Sequence, residues 1–407
     1  MLSQRKSQSS NSTQNEDTNI NTTLIPSSPV LHSSSTPPTL LKSLKIIFLT
    51  SWINVLLIFV PLGYIASGLK WSNTLVFVLN FLAIIPLSKL LEFATEDISL
   101  RVGQTSGVLN ATFGNAAELI VSIIALKEGQ IRVVQASILG SIISDLLLVL
   151  GLCFVMVGIY HKEQKFNMTV AQTSSSLMAL ACIGLIIPAA FIFSVETAEI
   201  IQTGSDHTSE LLNLSHGTAI VLLIIYVLYL LFQLKTHTYL YQDEEEIEND
   251  EQSQLTFTIS LLLLIFVTVA VSFSAEYLVN SIEGIADTFG LSKTFIGLIL
   301  LPIVGKASEL LTVAMKNKMD LAINIAVDSS MQTALFISPL LVILGWIIGQ
   351  QMTFFFKIFE TITLFISVLI TNYLIQGGQS NWLKGAMLLD TYVIVALAFF
   401  FYPNHDE

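Results

Sequence analysis

Two glutamates stand where this chain has little room for charge. Glu118 lies in "GNAAELI" (114–120) and Glu309 in "GKASELL" (305–311), and the two stretches begin 191 positions apart (305 − 114). Both sit inside runs that otherwise read as membrane-buried helix. A carboxylate at mid-bilayer costs several kcal/mol (~2.5 or more), so it is rarely kept without a partner or a task. On the helical repeat Glu118 shares a face with Asn115, Ser122 and Ala111, one polar stripe on an aliphatic surface. Glu309 stands in the same relation to Lys306, Gly305 and Thr312. The small residues Gly114, Ala116, Ala117, Ala307 and Ser308 allow neighbouring helices to come close. Two carboxylates brought together suit a hard divalent cation, which prefers oxygen ligands. Once the cation leaves, their desolvation and mutual repulsion raise their affinity for protons. A site that holds either a cation or protons is the minimum that antiport requires. The plainer alternative is that each glutamate is a neutral, hydrogen-bonded packing residue, and the duplication argues against it.

The elements that must position these residues are membrane helices. The chain has 407 residues, 53% hydrophobic and 12% charged, with mean hydropathy +0.72. Soluble domains carry about a quarter charged residues. Apolar runs of roughly 20 residues, enough to cross a ~30 Å hydrocarbon core as helix, recur from residue 44 to residue 403. The ten-residue alternation of a β-barrel is absent from the sequence. The expected fold class is an all-α polytopic membrane protein. Eleven spans are predicted: 44–66, 73–94, 107–126, 131–158, 170–193, 216–234, 255–280, 294–315, 320–348, 354–376 and 383–403.

The Ser/Thr/Asn/Pro-rich residues 1–43 read as a disordered tail with no signal peptide. Residues 44–66 are expected to form a peripheral transmembrane helix, ahead of five-helix halves at 73–234 and 255–403. An acidic linker, 235–254, joins the halves, and its run from Asp243 to Glu251 supplies part of the net charge of −12. It reads as a solvated connection or a weak cation-collecting loop, and nothing in the charge pattern suggests nucleic acid. With a cytosolic N-terminus, Arg5, Lys6, Lys42, Lys45, Arg101, Lys162, Lys165, Lys235, Lys316, Lys318 and Lys384 fall on the cytosolic side. Only Lys70, Lys127, Arg132, Lys293 and Lys357 fall opposite, so the positive-inside rule places the acidic linker in the cytosol.

The two glutamate motifs belong to a longer internal repeat. "LNATFGNAAELIVSIIALKEGQIRVVQASILGSIISDLLLVLG" (109–151) matches "LILLPIVGKASELLTVAMKNKMDLAINIAVDSSMQTALFISPLLVILG" (298–345) in order. Each has Gly-x-Ala-x-Glu, a short basic turn, an Ala/Ser-rich helix start and a Leu-rich run. The copies are five spans apart, an odd number, so they enter the membrane from opposite faces. Inverted repeats with small residues near mid-membrane are the sequence sign of a secondary transporter.

These motifs give the chain a specific resemblance. "RVGQTSGVLNATFGNAAELIVSIIALKEGQIRVVQASILGS", with "SKTFIGLILLPIVG", "AMKNKMDLAINIA" and "SSMQTALFISPLLVILGW" in the second half, resembles the CAX-type calcium/proton exchangers of the Ca2+/cation antiporter superfamily, the fungal vacuolar form above all. The resemblance runs from about residue 44 to residue 403. It implies eleven helices in two inverted five-helix repeats and exchange of Ca2+, or Mn2+, for H+ by alternating access. It implies an acidic-organelle membrane, most naturally the vacuole, with the bilayer and the ions as the only obligate partners and no organic cofactor. A homo-oligomer is compatible with it. It further implies that Glu118 and Glu309 are the central ligands. Backbone carbonyls near Gly114 and Gly305 and the side chains of Asn115, Ser141, Ser144, Ser329 and Gln332 would complete the site.

Four positions depart from that pattern. Lys306 replaces an asparagine, Asp328 a glycine and Asp145 an asparagine, and the second copy is short. Glu118 to Ser141 is 23 residues (141 − 118), whereas Glu309 to Ser329 is 20 (329 − 309). Lys306 lies one turn before Glu309, so its ammonium could take the space meant for the cation, with Asp145 and Asp328 neutralising it. Three missing helical residues remove ~4.5 Å and leave later positions about 60° out of phase. Two readings follow: a working divalent-cation/proton antiporter, or a transport-impaired relative acting as partner or regulator. A third has the same fold selecting another ion pair, such as Na+/Ca2+.

The remaining signals are weaker. Glu96 and Asp97 in "EFATEDISLRVG" (92–103) read as a solvated helix cap with Arg101 as a topology anchor, or as a gate where ions come in. His161, His207, His216, His237 and His405 fall in loops or at span ends, without metal-ligand spacing. Cys153 and Cys182 read as buried small hydrophobes, and the Phe-rich tracts 354–359 and 399–401 as lipid-facing or interfacial. No nucleotide-binding or nucleophile motif is present, so no enzyme is expected.

Overall fold

A computed structural model describes residues 40–49, 51–102, 113–160, 163–199, 208–240, 253–307 and 319–402. The N-terminal tail and most of the acidic linker lie outside them, as do Glu309, Ala111, Lys316 and Lys318. Among the described residues eight helices are long and apolar enough to cross a membrane, or nine if one bent pair is a single span. That pair is Lys42–Leu49 with Trp52–Gly68, bent by 98°, so the predicted helix 44–66 is not one straight rod. Predicted spans 107–126 and 294–315 are described only in part, as the helix Ala116–Lys127 and as helical residues 293–307. The sole sheet among the described residues is a two-residue antiparallel ladder, Gln164–Lys165 with Gln379–Ser380, which ties a turn of the first half to one of the second.

The principal packing partners come from opposite halves of the chain. Asn73–Val102 lies along Phe257–Asn280, and Met168–Glu199 against Ile358–Ile375. Trp382–Phe400 packs on Leu150–Tyr160, and, reciprocally, Thr208–Leu231 on Ser338–Ile348. In the apolar stretch of Ile131–Ile159 67% of the residues are buried and this helix forms the centre, whereas in those of Ser209–Thr236 and Trp382–Phe400 only 22% are, and these form the rim. The rim offers side chains such as Leu228, Ile394 and Leu397 to lipid. At the centre Ile131–Ile143 crosses the second half so closely that a Cβ on Gly140 would lie 2.1 Å from the Leu298 carbonyl oxygen. Small residues permit such approaches where lipid supplies no hydrophobic drive.

Both central helices change winding beside the same polar positions. Ile131–Ile143 passes into a π-helical turn, Ser144–Val149, and Met319–Gln332 into another, Thr333–Ile337. Such turns inside α-helices are frequent at functional sites. Hydroxyls of the spans close onto their own helices, as in Ser88 to Ile84, Thr95 to Leu91, Ser330 to Ala326 and Ser367 to Thr363. This satisfies them where no water is available.

Three expectations are corrected here. Asp97 is 3% exposed and is no solvated cap. It accepts hydrogen bonds from the Gln254 and Leu255 amides at 2.6 and 3.2 Å and from the Ser260 hydroxyl at 2.6 Å, fixing the start of Phe257–Asn280 to the end of Asn73–Val102. A long-range anchor of this kind has no local signature. Phe354 and Phe356, read as lipid-facing, are fully buried. The chain from Gln350 to Lys357 forms no regular helix or strand, and its Met352, Phe354 and Phe356 side chains pack into the core, while Phe400 and Phe401 stay exposed. His216 lies inside Thr208–Leu231, buried and stacked on Trp346 with centroids 4.4 Å apart, two turns into the helix and not at its end. Cys153 and Cys182 are both buried.

Candidate cation site

The first motif is a helix start. Gly114 and Asn115 form a turn, and Ala116 opens the helix that runs to Lys127. Glu118 is therefore in the first helical turn, where the positive end of the helix dipole favours a carboxylate. Asn115 occupies the N-cap position but makes no side-chain cap bond. Its amide crosses to the second half, donating to the Ser329 carbonyl at 3.4 Å and to Gln332 Oε1 at 3.3 Å. Glu118 Oε2 accepts from Ser141 at 2.9 Å.

Lys306 stands at the centre. Its side chain is fully buried, and the ammonium lies 3.1 Å from Glu118 Oε1 and 3.1 Å from Asp145 Oδ1. It donates to Asn115 Oδ1 at 2.9 Å and to Ser329 Oγ at 2.7 Å. The Ser329 hydroxyl in turn donates to Asn115 Oδ1 at 2.9 Å. Four oxygens thus surround one cationic nitrogen, and helices of both halves supply them. Gly305 makes this possible, because a Cβ there would lie 2.6 Å from Glu118 Oε1. Two narrow clefts flank the Glu118 carboxylate, whose side chain is 14% exposed. Ser88, Glu92, Gly114 and Asn115 line one, and Ile84, Ser137, Ser141 and Leu278 the other.

The predicted site residues divide accordingly. Glu118, Asn115, Ser329 and Asp145 converge on the ammonium, Ser141 holds Glu118, Gln332 holds Asn115, and Gly114 and Gly305 line the clefts. Ser144 instead meets the Tyr392 hydroxyl at 3.3 Å, and Asp328 accepts from Ser174 at 3.1 Å. Neither Tyr392 nor Ser174 is marked by the motifs. Among the described residues no three of His, Cys, Asp and Glu gather as a metal set. Glu118 and Asp145 come together, but through a lysine. Every donor in the cage is oxygen, as a hard cation requires. Ca2+–oxygen distances are typically about 2.3–2.6 Å, however, and this cage is closed around nitrogen at hydrogen-bond distances.

A register emerges that the motifs alone do not give. Ser141 follows Glu118 by 23 residues and contacts it, and Ser329 follows Lys306 by 23 residues and contacts it. The two halves thus place an acid–hydroxyl pair and an ammonium–hydroxyl pair at matching positions, with the hydrogen bond running in opposite senses.

Fold and site together define an integral, all-helical polytopic membrane protein with a buried polar cluster between the two halves of its chain. The chain belongs to the sodium/calcium exchanger protein family, which matches residues 72–235 and 259–401. It is 47% identical over 365 residues to a vacuolar calcium ion transporter of Schizosaccharomyces pombe, covering 88% of this chain and 87% of that one. It is 44% identical over 375 residues to a Ca(2+)/H(+) antiporter of Aphanothece halophytica, covering 86% and 97%. The structure of native YfkE superposes with a TM-score of 0.72 at 34% identity, covering 86% of this chain and all of that one.

Proposed function

We propose that this protein is a secondary active transporter that exchanges Ca2+ for H+ by alternating access, in the vacuolar membrane or that of another acidic organelle. The observation that carries this reading is the Glu118 carboxylate, partly buried at a helix start, flanked by clefts and set among oxygen donors from both halves of the chain. The names of the relatives, a vacuolar calcium ion transporter and a Ca(2+)/H(+) antiporter, support it. Glu309 is the second carboxylate of the proposed site. Two inverted five-helix repeats are the proposed architecture, with a further helix preceding them and the acidic linker in the cytosol. The reciprocal packing of helices and the paired π-helical turns support that arrangement. Ca2+ is the preferred cargo and Mn2+ the nearest alternative. No organic cofactor and no enzymatic step is part of the mechanism.

The transport-impaired reading draws on one observation, the ammonium seated among the ligands. Identities of 44–47% to proteins named as transporter and antiporter, across 86–88% of the chain, weigh against it. Proton-gradient-driven 45Ca2+ uptake into vesicles decides the matter. Uptake that Glu118→Gln and Glu309→Gln each abolish is the expected result, and a chain without gradient-driven uptake sinks the exchange reading.

A further inference from the structure

We propose that Lys306 is a specificity-determining residue of this site, a tethered cation that competes with the transported divalent ion for the same oxygens. The inference rests on the exchange reading above and adds what this chain does differently. Three observations carry it. The ammonium is fully buried at the centre of the oxygens that would bind the ion, with contacts of 2.7–3.1 Å to Ser329, Asn115, Glu118 and Asp145. It sits at the register position of an acidic group, since Lys306–Ser329 repeats the 23-residue separation of Glu118–Ser141. The small residue before it, Gly305, lets the Glu118 carboxylate lie directly against its helix.

A lysine serves this role through charge and number of donors. Its N–H groups donate to Asn115 and Ser329 while its charge faces the Glu118 and Asp145 carboxylates, so the seated ammonium engages the same oxygens that an ion would. A divalent ion bound to the same oxygens would stand a few ångströms from a positive charge in a medium of low dielectric, where like charges repel strongly. The ion therefore binds only when the ammonium leaves its seat. The consequence is a raised half-saturating Ca2+ concentration, set by one side chain outside the carboxylate pair.

The test uses the full-length chain in proteoliposomes and in detergent, with Ca2+ as the ligand. Lys306→Asn lowers the half-saturating Ca2+ concentration for proton-gradient-driven uptake at least tenfold, whereas Lys306→Arg, which keeps the charge, does not lower it. Because Lys306→Asn leaves two carboxylates facing each other, Ca2+ also raises its unfolding temperature more than that of the unmodified chain. A merely structural lysine would not produce that gain. If Lys306→Asn folds poorly, Lys306→Gln, which keeps most of the side-chain length without the charge and leaves both carboxylates in place, carries the same comparison. Unchanged half-saturation with unchanged Ca2+ stabilisation overturns the inference while leaving exchange standing, as does loss of uptake in folded Lys306→Asn. An unmodified chain inert to Ca2+ whose Lys306→Asn variant transports and is stabilised supports the inference and overturns exchange as the native activity.

Discussion

Replacing Asp145 by asparagine removes one of two carboxylates that share the Lys306 ammonium and leaves the shape of the side chain nearly unchanged. Both Asp145 and Lys306 are fully buried, and the pair distance is 3.1 Å. At an effective dielectric constant of about 20 the gross attraction is roughly 332/(20 × 3.1), or about 5 kcal/mol. Removing one partner of a buried ion pair commonly costs about 3–5 kcal/mol, because the other charge stays behind uncompensated. Here the ammonium keeps Glu118, Asn115 and Ser329, so the expected loss is smaller, about 2–3 kcal/mol. In a chain of 407 residues this corresponds to a fall of roughly 3–6 °C in the unfolding midpoint, extrapolating the size trend of soluble domains. Thermal unfolding of the purified protein in detergent measures it. A double-mutant cycle with Lys306→Met isolates the pair and should give a coupling of ~2 kcal/mol or more. A midpoint unchanged by Asp145→Asn, with no coupling in the cycle, refutes the buried network as described.

Three further predictions follow from the same structure. Gly305→Ala puts a methyl group 2.6 Å from Glu118 Oε1 and costs about 1–3 kcal/mol as overpacking; 45Ca2+ uptake should fall at least tenfold in protein that remains monodisperse. Asp97→Ala leaves the Gln254 and Leu255 amides and the Ser260 hydroxyl without their shared acceptor. It should cost about 2–3 kcal/mol, with faster amide exchange confined to the start of Phe257–Asn280. Gly140→Val drives a side chain into the Leu298 carbonyl, 2.1 Å from the Cβ position, and should yield no folded protein by size exclusion.

Much of this was open to inspection in the sequence, because membrane helices follow from length and apolarity alone. The apolar runs gave the central spans to within a few residues, and "GNAAELI" marked Glu118 before any geometry was known. Lys306 was suspect on charge alone. Its place was not legible, because matching Gly-x-Ala-x-Glu aligns Glu309 with Glu118 and yields the awkward spacing of 20. Counting back 23 from Ser329 instead reaches Lys306, and the contacts follow that count. Asp97 was illegible for another reason. Its partners lie 157–163 residues away and include two backbone amides, which no side-chain pattern advertises. The π-helical turns at Ser144–Val149 and Thr333–Ile337 also escape, since neither carries a Gly, a Pro or a shift in apolar pattern that would mark a change of winding.

The central claim is exchange at a Glu118-centred site, and simultaneous recording of both ions tests it most directly. Proteoliposomes with an acidic lumen, a trapped pH indicator and external 45Ca2+ report cation uptake and proton loss in one experiment. The account predicts that lumenal pH rises in step with 45Ca2+ uptake and that Glu118→Gln abolishes both. Uptake without proton movement, or coupled fluxes that survive Glu118→Gln, would contradict it.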